Sequence, residues 1–347
     1  MGALDGLLVL DLTRLLPGAV ATQYLADQGA EVIKIEQPVT GDYARTLSPA
    51  VFARTNRGKK SVVLDLKSEF GKQTLQAMAL KADIFLEGFR PGVMDRLGLG
   101  SGTLRAANPR LIYVSLTGYG QGGPDALLAG HDINYMALGG LLGLNCGSNG
   151  VPVIPGSQIG DLVGGSMQAV AGIMLALVER HSTGIGRVVD VSMTAGVASL
   201  LPIPLAELEF AGHDPRPGHG MLTGRHACYQ VYRARDDRWL AVGALEPKFW
   251  AELCRRLGCA ELIAAQFDQE AQPALKARLG AIFATRDAGD WFAELRAFDC
   301  CVTLVRRVSE VAAAGASSND RRPVPEIGEH SAELLAKYAG VDKGAIP

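Results

Sequence analysis

The sequence predicts an α/β fold, in which a large domain with a Rossmann-like parallel sheet precedes a smaller α+β domain. In the first third of the chain, short runs of β-favouring residues alternate with stretches of helical pattern. Those short runs are apolar almost throughout, as is typical of parallel strands covered on both faces of a sheet. A stretch rich in Pro, Gly and His, at residues 202–224, then separates this region from a second unit.

The large domain is expected to span residues 1–200. Its predicted strands lie at residues 7–12, 31–35, 61–66, 83–87, 111–116 and 187–192. Its predicted helices lie at residues 18–27, 70–80, 133–144 and 162–181. The last of these is apolar on nearly every side, which predicts a buried central helix.

The smaller domain is expected at residues 226–310, between a linker at 201–225 and a second linker at 311–324. Its predicted elements are strands at 227–232 and 239–243 and helices at 247–257, 273–284 and 288–298. The segment 325–347 contains one more helical pattern, and we expect it to return to the large domain.

Composition and charge exclude several functional classes. The chain carries 34 basic and 36 acidic side chains, a formal charge of −2, which does not favour a nucleic-acid partner. The six cysteines form no Cys-x-x-Cys pair and the first residues lack a signal-peptide pattern, so we expect a cytoplasmic protein with reduced thiols. The most apolar stretch, residues 167–178, is too short and too interrupted by glycine to predict a membrane span.

The turn after the first strand does not predict a dinucleotide cofactor. Its sequence is Arg14-Leu15-Leu16-Pro17-Gly18, which lacks the Gly-x-Gly-x-x-Gly fingerprint of nicotinamide and flavin sites. We therefore expect neither of these cofactors.

His131 and Asp161 are the main candidates for catalysis, and each is set among glycines. An imidazole titrates near pH ~6.5 and suits a general base, whereas a partly desolvated aspartic acid has a raised pKa and can donate a proton. Together they predict the movement of a proton on and off carbon. Asp161 alone would predict acyl transfer through a carboxylate. Gly160, Gly164 and Gly165 are expected to clear space for a substrate beside Asp161.

Each candidate also has a structural interpretation. Asp161 directly precedes an apolar helix, where it would serve as the N-cap. His131 opens another helix with Asp132 as its cap, and the amides at this helix start would alternatively hold a developing oxyanion. Glu246 precedes Pro247 at a third helix start, where it either belongs to an acidic first turn or orients His131.

Basic residues occur in segments where an extended polyphosphate ligand would lie. Arg57 is in a predicted loop, Lys67 ends a strand, and Arg90 and Arg96 flank a Pro-Gly turn. A solvated surface is the alternative interpretation of these residues. Loops at the carboxyl ends of parallel strands are, however, where ligands of such sheets bind.

Several ordered segments carry a resemblance to a known family. They are Asp27–Glu36, Asn56–Ser61, Asp65–Lys67, Glu87–Gly92, Gly130–Asp132 and Gly160–Asp161. Together they resemble the family III coenzyme A transferases, and within them the α-methylacyl-CoA racemase branch. The resemblance runs from Leu4 to Val305 and resumes at Gly328-Glu329-His330.

The resemblance implies an interlocked homodimer that binds coenzyme A (CoA) across the large domain, with a CoA thioester as substrate and no metal or other cofactor. In racemases of this family, a histidine matching His131 and an aspartate matching Asp161 act on opposite faces of the substrate α-carbon. A glutamate matching Glu246 pairs with the histidine, and amides near Asp132 would hold the thioester enolate. The implied CoA contacts are Arg57, Asp65, Leu66, Lys67, Gly88, Phe89, Arg90, Arg96 and Tyr135.

The presence of all three catalytic positions favours α-methylacyl-CoA racemase activity, by proton transfer through an enolate. One alternative is an acyl-CoA:carboxylate CoA-transferase that uses Asp161 as its nucleophile, and another is a CoA-binding protein without catalysis. Two departures from the family pattern are visible. Gln37 stands where such racemases often carry an arginine against the nucleotide, and the segment between Val311 and Pro325 is shorter than is usual in the family.

Overall fold

The computed structural model describes residues 2–147, 149–316 and 322–342. These residues form two compact units. One unit contains residues 2–145, 153–202 and 322–342, and the other contains residues 146–147, 149–152 and 203–316. The C-terminal segment therefore belongs to the same unit as the N-terminal half of the chain.

The first unit is built on a six-stranded sheet in which every pair of neighbouring strands is parallel. Its strands are β1 (Leu8–Asp11), β2 (Glu31–Glu36), β3 (Lys60–Val63), β4 (Ile84–Glu87), β5 (Ile112–Thr117) and β6 (Val188–Ser192). Their spatial order is β3-β2-β1-β4-β5-β6, so the direction of winding reverses between β1 and β4. The prediction of an α/β fold with a parallel sheet is confirmed.

Helices connect these strands. They are α1 (Leu16–Asp27), α2 (Ala44–Leu47), α3 (Pro49–Asn56), α4 (Glu69–Ala79), α5 (Val93–Arg96), α6 (Ser101–Ala107), α7 (Asp132–Leu138), α8 (Leu141–Leu144), a π-helical segment (Gly160–Met167), α9 (Gln168–Thr183) and α10 (Met193–Ala198). The sequence predicts one helix at residues 133–144, but Gly140 adopts φ 84° and separates α7 from α8.

The second unit contains a three-stranded antiparallel sheet. Its strands, in spatial order, are β7 (Tyr229–Arg233), β8 (Trp239–Gly243) and β9 (Val302–Leu304). The helices of this region are α11 (Pro202–Ala211), α12 (Pro247–Arg256), a 3₁₀ helix (Ala260–Ala265), α13 (Gln272–Phe283), α14 (Ala288–Leu295) and α15 (Val308–Val311), followed by a π-helical turn (Ala312–Ala316). Trp250, Phe283 and Leu295 are fully buried in the core of the unit.

The chain returns to the first unit with α16 (Ser331–Ala339), whose Leu334 is fully buried against the sheet. Neighbouring strand residues pack on opposite faces of that sheet. Leu10 lies in the same core cluster as residues of α4 and α16, whereas Val9 lies in the cluster that contains residues of α1 and α9. Both faces of the parallel strands are therefore covered, as their apolar sequences predict.

Several helices lie where the sequence predicts none, and two of them change the setting of predicted residues or segments. Helix α3 lies between β2 and β3 and ends at Asn56, so Arg57 follows a helix directly as its C-cap residue. Helix α11 occupies the first part of the linker expected at residues 201–225. None of the side chains of α11 is buried, and Pro202 and Pro204 at its start gave this segment the composition of a linker.

The apolar helix of the first unit is longer and less buried than the sequence predicts. The π-helical segment and α9 form one run, Gly160–Thr183, of 24 residues with a hydropathy of 1.6. By length and composition alone such a helix is able to cross a membrane, a test that core helices of soluble proteins also pass. Ala169 and Ile173 are buried, but Leu175 and Val178 are 68% and 72% exposed. Within a single chain, this helix is therefore buried on one side only, and not on every side as the sequence predicts.

A buried charge network joins the carboxyl ends of β1 and β2. Lys34 Nζ lies 2.8 Å from Asp42 Oδ2 and donates a hydrogen bond of 2.8 Å to the carbonyl oxygen of Thr13. Asp42 Oδ1 accepts a hydrogen bond of 3.0 Å from the backbone N–H of Leu15. Burial alone would lower the pKa of Lys34, but the carboxylates of Asp11 and Asp42 raise it above its ordinary value. The lysine therefore stays charged.

Replacing Lys34 with methionine is expected to lower the free energy of unfolding by about 3–5 kcal/mol, because the buried Asp42 would lose its ion-pair partner. Urea unfolding followed by circular dichroism measures this change. The matched control is Lys72→Met, because Lys72 pairs with Glu69 at the surface and its loss should cost less than about 1 kcal/mol. Equal losses in the two variants would contradict the importance of the network.

Candidate active site

A cavity of about 540 Å³ lies at the carboxyl ends of β1, β4 and β5, and we call it the reaction cavity. The winding of the sheet reverses between β1 and β4, and ligands of open α/β sheets bind outside such a reversal. The walls of the cavity consist of residues 13–18, 88–91, 116–119, 126, 128–131, 134, 135, 161 and 193. Both main catalytic candidates are among them.

His131 lies on the wall of the reaction cavity, at the N-cap position of α7. Its backbone N–H donates to the side-chain oxygen of Asn134 at 3.0 Å, which closes the first turn of the helix. The His131 side chain is exposed. Asp132 is not the cap of this helix, as one interpretation of the sequence suggested, but its first residue.

Asp161 lies in the first turn of the π-helical segment and lines the same cavity. It is not the N-cap of this helix, so that interpretation is wrong. Its backbone N–H instead donates to Asp132 Oδ1 at 2.9 Å. A carboxylate from α7 therefore closes the start of the helix that carries Asp161.

The carboxyl group of Asp161 titrates much closer to neutrality than an ordinary aspartate. Burial and, to a smaller extent, the negative charge of Asp132 raise its pKa from 3.8 to about 6, although the charge of His131 opposes the increase. Near neutral pH the group is mostly ionised, while its protonated form stays accessible. Asp161 is therefore suited to act either as a base or as an acid.

The glycines beside Asp161 serve helix packing. A Cβ on Gly164 would lie 2.6 Å from the carbonyl oxygen of Met193, and a Cβ on Gly165 would lie 2.9 Å from the Met193 side chain. A Cβ on Gly160 would lie 3.0 Å from the carbonyl oxygen of Asp132. These glycines let the π-helical segment approach α10 and α7, and they do not line the reaction cavity. The expectation that they clear space for a substrate is wrong.

Tyr135 lines the reaction cavity, but its hydroxyl group already has a partner. The hydroxyl donates to the carbonyl oxygen of Gly130 at 2.5 Å, and the ring packs edge-on against Tyr119. Burial, with a smaller effect of the Asp161 charge, raises the pKa of Tyr135 to about 12, so the group stays neutral. Tyr135 therefore shapes the wall beside His131.

A second cavity, of about 550 Å³, lies at the carboxyl ends of β1, β2 and β3. We call it the nucleotide cavity, because it is lined by four of the predicted CoA contacts, Asp65, Leu66, Lys67 and Phe89. Arg14 and Phe89 line both cavities, so a single extended ligand would pass these two residues.

The other predicted CoA contacts divide into two groups. Gly88 and Arg90 line the reaction cavity. Arg57 and Arg96 line neither cavity: Arg57 donates to Asp27 Oδ2 at 2.9 Å, and Arg96 ends the short helix α5. Basic character alone did not distinguish these two groups in the sequence. In the part of the chain that the structure describes, no three metal-ligating side chains are grouped.

Arg14 is not among the predicted site residues, although its side chain lines both cavities. It comes shortly after the end of β1, and the loops after β1 and β4 flank the reversal of the sheet. A charged residue at such a position is a general signal for ligand contact, and it was available in the sequence.

Glu246 lies in the second unit, directly before α12, where it occupies the N-cap position. Its side chain is exposed. His131 belongs to the first unit, so the pairing of Glu246 with His131 stays a prediction.

Comparison with known proteins identifies the family. The family model for CoA-transferase family III matches residues 4–334. The chain belongs to CoA-transferase family III. Membership in this family of enzymes implies an acyl-CoA substrate, and it confirms the resemblance seen in the sequence.

Relatives within family III differ in their activities. The chain is 37% identical over 310 residues to the α-methylacyl-CoA racemase of Homo sapiens, in an alignment that covers 89% of this chain and 79% of the relative. It is 38% identical over 306 residues to the acetyl-CoA:oxalate CoA-transferase of Acetobacter aceti, in an alignment that covers 84% of this chain and 77% of the relative. The crystal structure of a CAIB/BAIF family protein from Brucella suis superposes with a TM-score of 0.83 at 27% identity, covering 97% of this chain and 99% of that chain.

In this family III enzyme, Asp161→Asn is expected to raise the free energy of unfolding at pH 7. A carboxyl group whose pKa rises from 3.8 to about 6 on folding favours the protonated folded state, so its ionisation costs stability above about pH 6. The gain should reach at most about 3 kcal/mol, or roughly half of this after solvent screening, and should vanish near pH 4. Urea unfolding at pH 7 and at several lower pH values measures it.

The control for this experiment is Asp125→Asn, because Asp125 is exposed. Its free energy of unfolding should differ from that of the wild type by less than about 0.5 kcal/mol at each pH. A loss of stability in Asp161→Asn at pH 7 would contradict the raised pKa.

Proposed function

We propose that this enzyme is an α-methylacyl-CoA racemase, which inverts the configuration at C2 of a 2-methylacyl-CoA thioester. One observation carries the proposal: His131 and Asp161 line the same cavity, and the pKa of Asp161 is raised toward neutrality. A racemase needs two groups that each exist as acid and as base near the working pH. The 37% identity to the human racemase supports the same activity.

The proposed mechanism moves one proton through an enolate. One of the two groups removes the proton from C2, and the electron pair of the C–H bond shifts to the thioester oxygen. Amides near Asp132 would stabilise the resulting negative charge. The other group returns a proton to C2 from the opposite face, and the enolate electrons form the new C–H bond. Glu246 would orient His131 and stabilise its charged form.

The second candidate activity is CoA transfer between an acyl-CoA and a carboxylate. Here the Asp161 carboxylate would attack the thioester carbonyl carbon and expel the CoA thiolate. The 38% identity to a relative named as a CoA-transferase favours this alternative. It gives His131 no role in bond making, and this difference makes the two activities distinguishable.

The first test is incubation of the enzyme with (2R)-2-methylacyl-CoA in deuterated water without a carboxylate acceptor. A racemase should introduce one deuterium at C2 and reduce the optical purity of the substrate. His131→Gln and Asp161→Asn should each slow racemisation by at least about 100-fold, the usual contribution of general acid–base catalysis. Mass spectrometry and chiral chromatography measure both quantities.

The matched control is His181→Gln, because His181 is exposed in the last turn of α9 and lines neither cavity. It should racemise like the wild type. If no deuterium enters the substrate, and CoA transfer begins once oxalate or succinate is added and survives His131→Gln, the enzyme is a transferase and the racemase proposal fails.

We also propose that the enzyme works as an interlocked homodimer. The resemblance to the family implies this arrangement, and the exposed Leu175 and Val178 of α9 offer an apolar surface for a second chain. Light scattering after size exclusion should give twice the mass of one chain. Leu175→Glu should weaken the dimer, whereas Leu80→Glu, at another exposed leucine, should not. A monomeric wild type would contradict the proposal.

A further inference from the structure

Arg14 lies at the junction of the two cavities of the first unit. It lines the reaction cavity together with His131 and Asp161, and it lines the nucleotide cavity together with Lys67. Phe89 is the other residue that lines both cavities. Any ligand that occupies both cavities must therefore pass the Arg14 side chain.

Neutral groups hold the Arg14 guanidinium in place. Nη1 donates to the hydroxyl oxygen of Tyr43 at 3.0 Å, and Nη2 donates to Gln37 Oε1 at 3.2 Å. The guanidinium carbon lies 5.1 Å from the centre of the Tyr43 ring and 5.4 Å from that of Phe89. Within the described parts of the chain, Arg14 forms no ion pair with a carboxylate. Its charge is thus oriented but not neutralised.

The backbone beside Arg14 is strained, which fixes where its side chain begins. Leu15 adopts φ 63° and ψ −145°, a region that residues other than glycine rarely enter. The N–H of Leu15 donates to Asp42 Oδ1, and Asp42 is in turn paired with the buried Lys34. The buried network therefore holds the turn that presents Arg14.

We propose that Arg14 binds the diphosphate of the CoA portion of the substrate. The inference rests on the proposal of an acyl-CoA ligand. In CoA, the diphosphate joins the nucleotide to the pantetheine arm that carries the thioester. If the nucleotide occupies its cavity and the thioester lies beside His131 and Asp161, the diphosphate crosses the junction where Arg14 lies. A planar guanidinium with free N–H groups suits two phosphate oxygens.

Gln37 helps to orient the Arg14 guanidinium toward the junction of the two cavities. The amide oxygen of Gln37 accepts a hydrogen bond of 3.2 Å from Arg14 Nη2. Gln37 also lines the nucleotide cavity. The positive charge thus comes from the turn after β1, and Gln37, directly after β2, orients it.

The test compares Arg14→Gln with the wild type by isothermal titration of three ligands. CoA and dephospho-CoA both contain the diphosphate, whereas only CoA contains the 3′-phosphate. For both, Arg14→Gln should raise Kd by about 10- to 100-fold, the usual effect of losing charge-assisted hydrogen bonds. The third ligand, an acyl-pantetheine thioester, lacks phosphates and should bind the two proteins equally.

Three further variants make the test specific. Arg110→Gln removes an exposed arginine next to the start of β5, at the other end of the sheet, and should leave all three affinities unchanged. Arg14→Lys keeps the charge without the planar pair of donors, and its Kd for CoA should lie between those of wild type and Arg14→Gln. The double variant Arg14→Gln/Gln37→Arg restores an arginine to the nucleotide cavity and should recover part of the lost affinity for CoA.

Two results would overturn the assignment. If Arg14→Gln weakens the binding of the pantetheine thioester as much as the binding of CoA, Arg14 only shapes the cavity wall. If the loss disappears with dephospho-CoA, Arg14 binds the 3′-phosphate. The assignment of Arg14 and the proposed racemase activity can fail separately, because titration with CoA needs no turnover. If the wild type binds CoA through Arg14 but exchanges no proton at C2, the role of Arg14 stands and the racemase proposal fails.

Discussion

The ion pair between Lys34 and Asp42 is the constraint on which the candidate site depends. It lies in the interior, where Lys34 also binds the carbonyl oxygen of Thr13, and Asp42 binds the N–H of the strained Leu15. The ends of β1 and β2 are thereby fixed to each other by contacts that water cannot replace. A buried ion pair contributes little net stability compared with apolar packing, but removing one partner is strongly destabilising because the other charge stays buried. Its value here is positional, because Thr13 and Leu15 both line the reaction cavity.

A second electrostatic relation tunes the carboxyl group of Asp161. Asp132 accepts a hydrogen bond from the backbone of Asp161 and at the same time repels its ionised side chain. Burial contributes the larger part of the pKa increase of Asp161, and Asp132, which also positions its backbone, adds to it. The ionised form of Asp161 is destabilised by this environment, so the fold gives up stability at the point where chemistry is expected.

The parallel sheet was predictable from the sequence because strands that are buried on both faces consist of nearly continuous runs of apolar residues, which are visible locally. The sequence also predicted that His131 and Asp161 would share a site. It failed where the partner is distant in sequence. That Asp132 binds the N–H of Asp161, and that Gly164 is needed against Met193, are tertiary contacts without a local signal. Helix α11 escaped prediction for a local reason, since Pro202 and Pro204 at its start are typical of a linker.

The two candidate activities make different demands on Asp161. A nucleophile needs only the carboxylate, and a low pKa would supply it most fully at neutral pH. A proton carrier needs both forms, and histidine is the other side chain that changes charge in the same pH range. A pKa of about 6 leaves Asp161 mostly ionised at pH 7 and keeps its protonated form accessible, so this carboxyl group meets either demand. The two activities therefore differ in what they require of His131, because only proton transfer on both faces of C2 needs a second acid–base group.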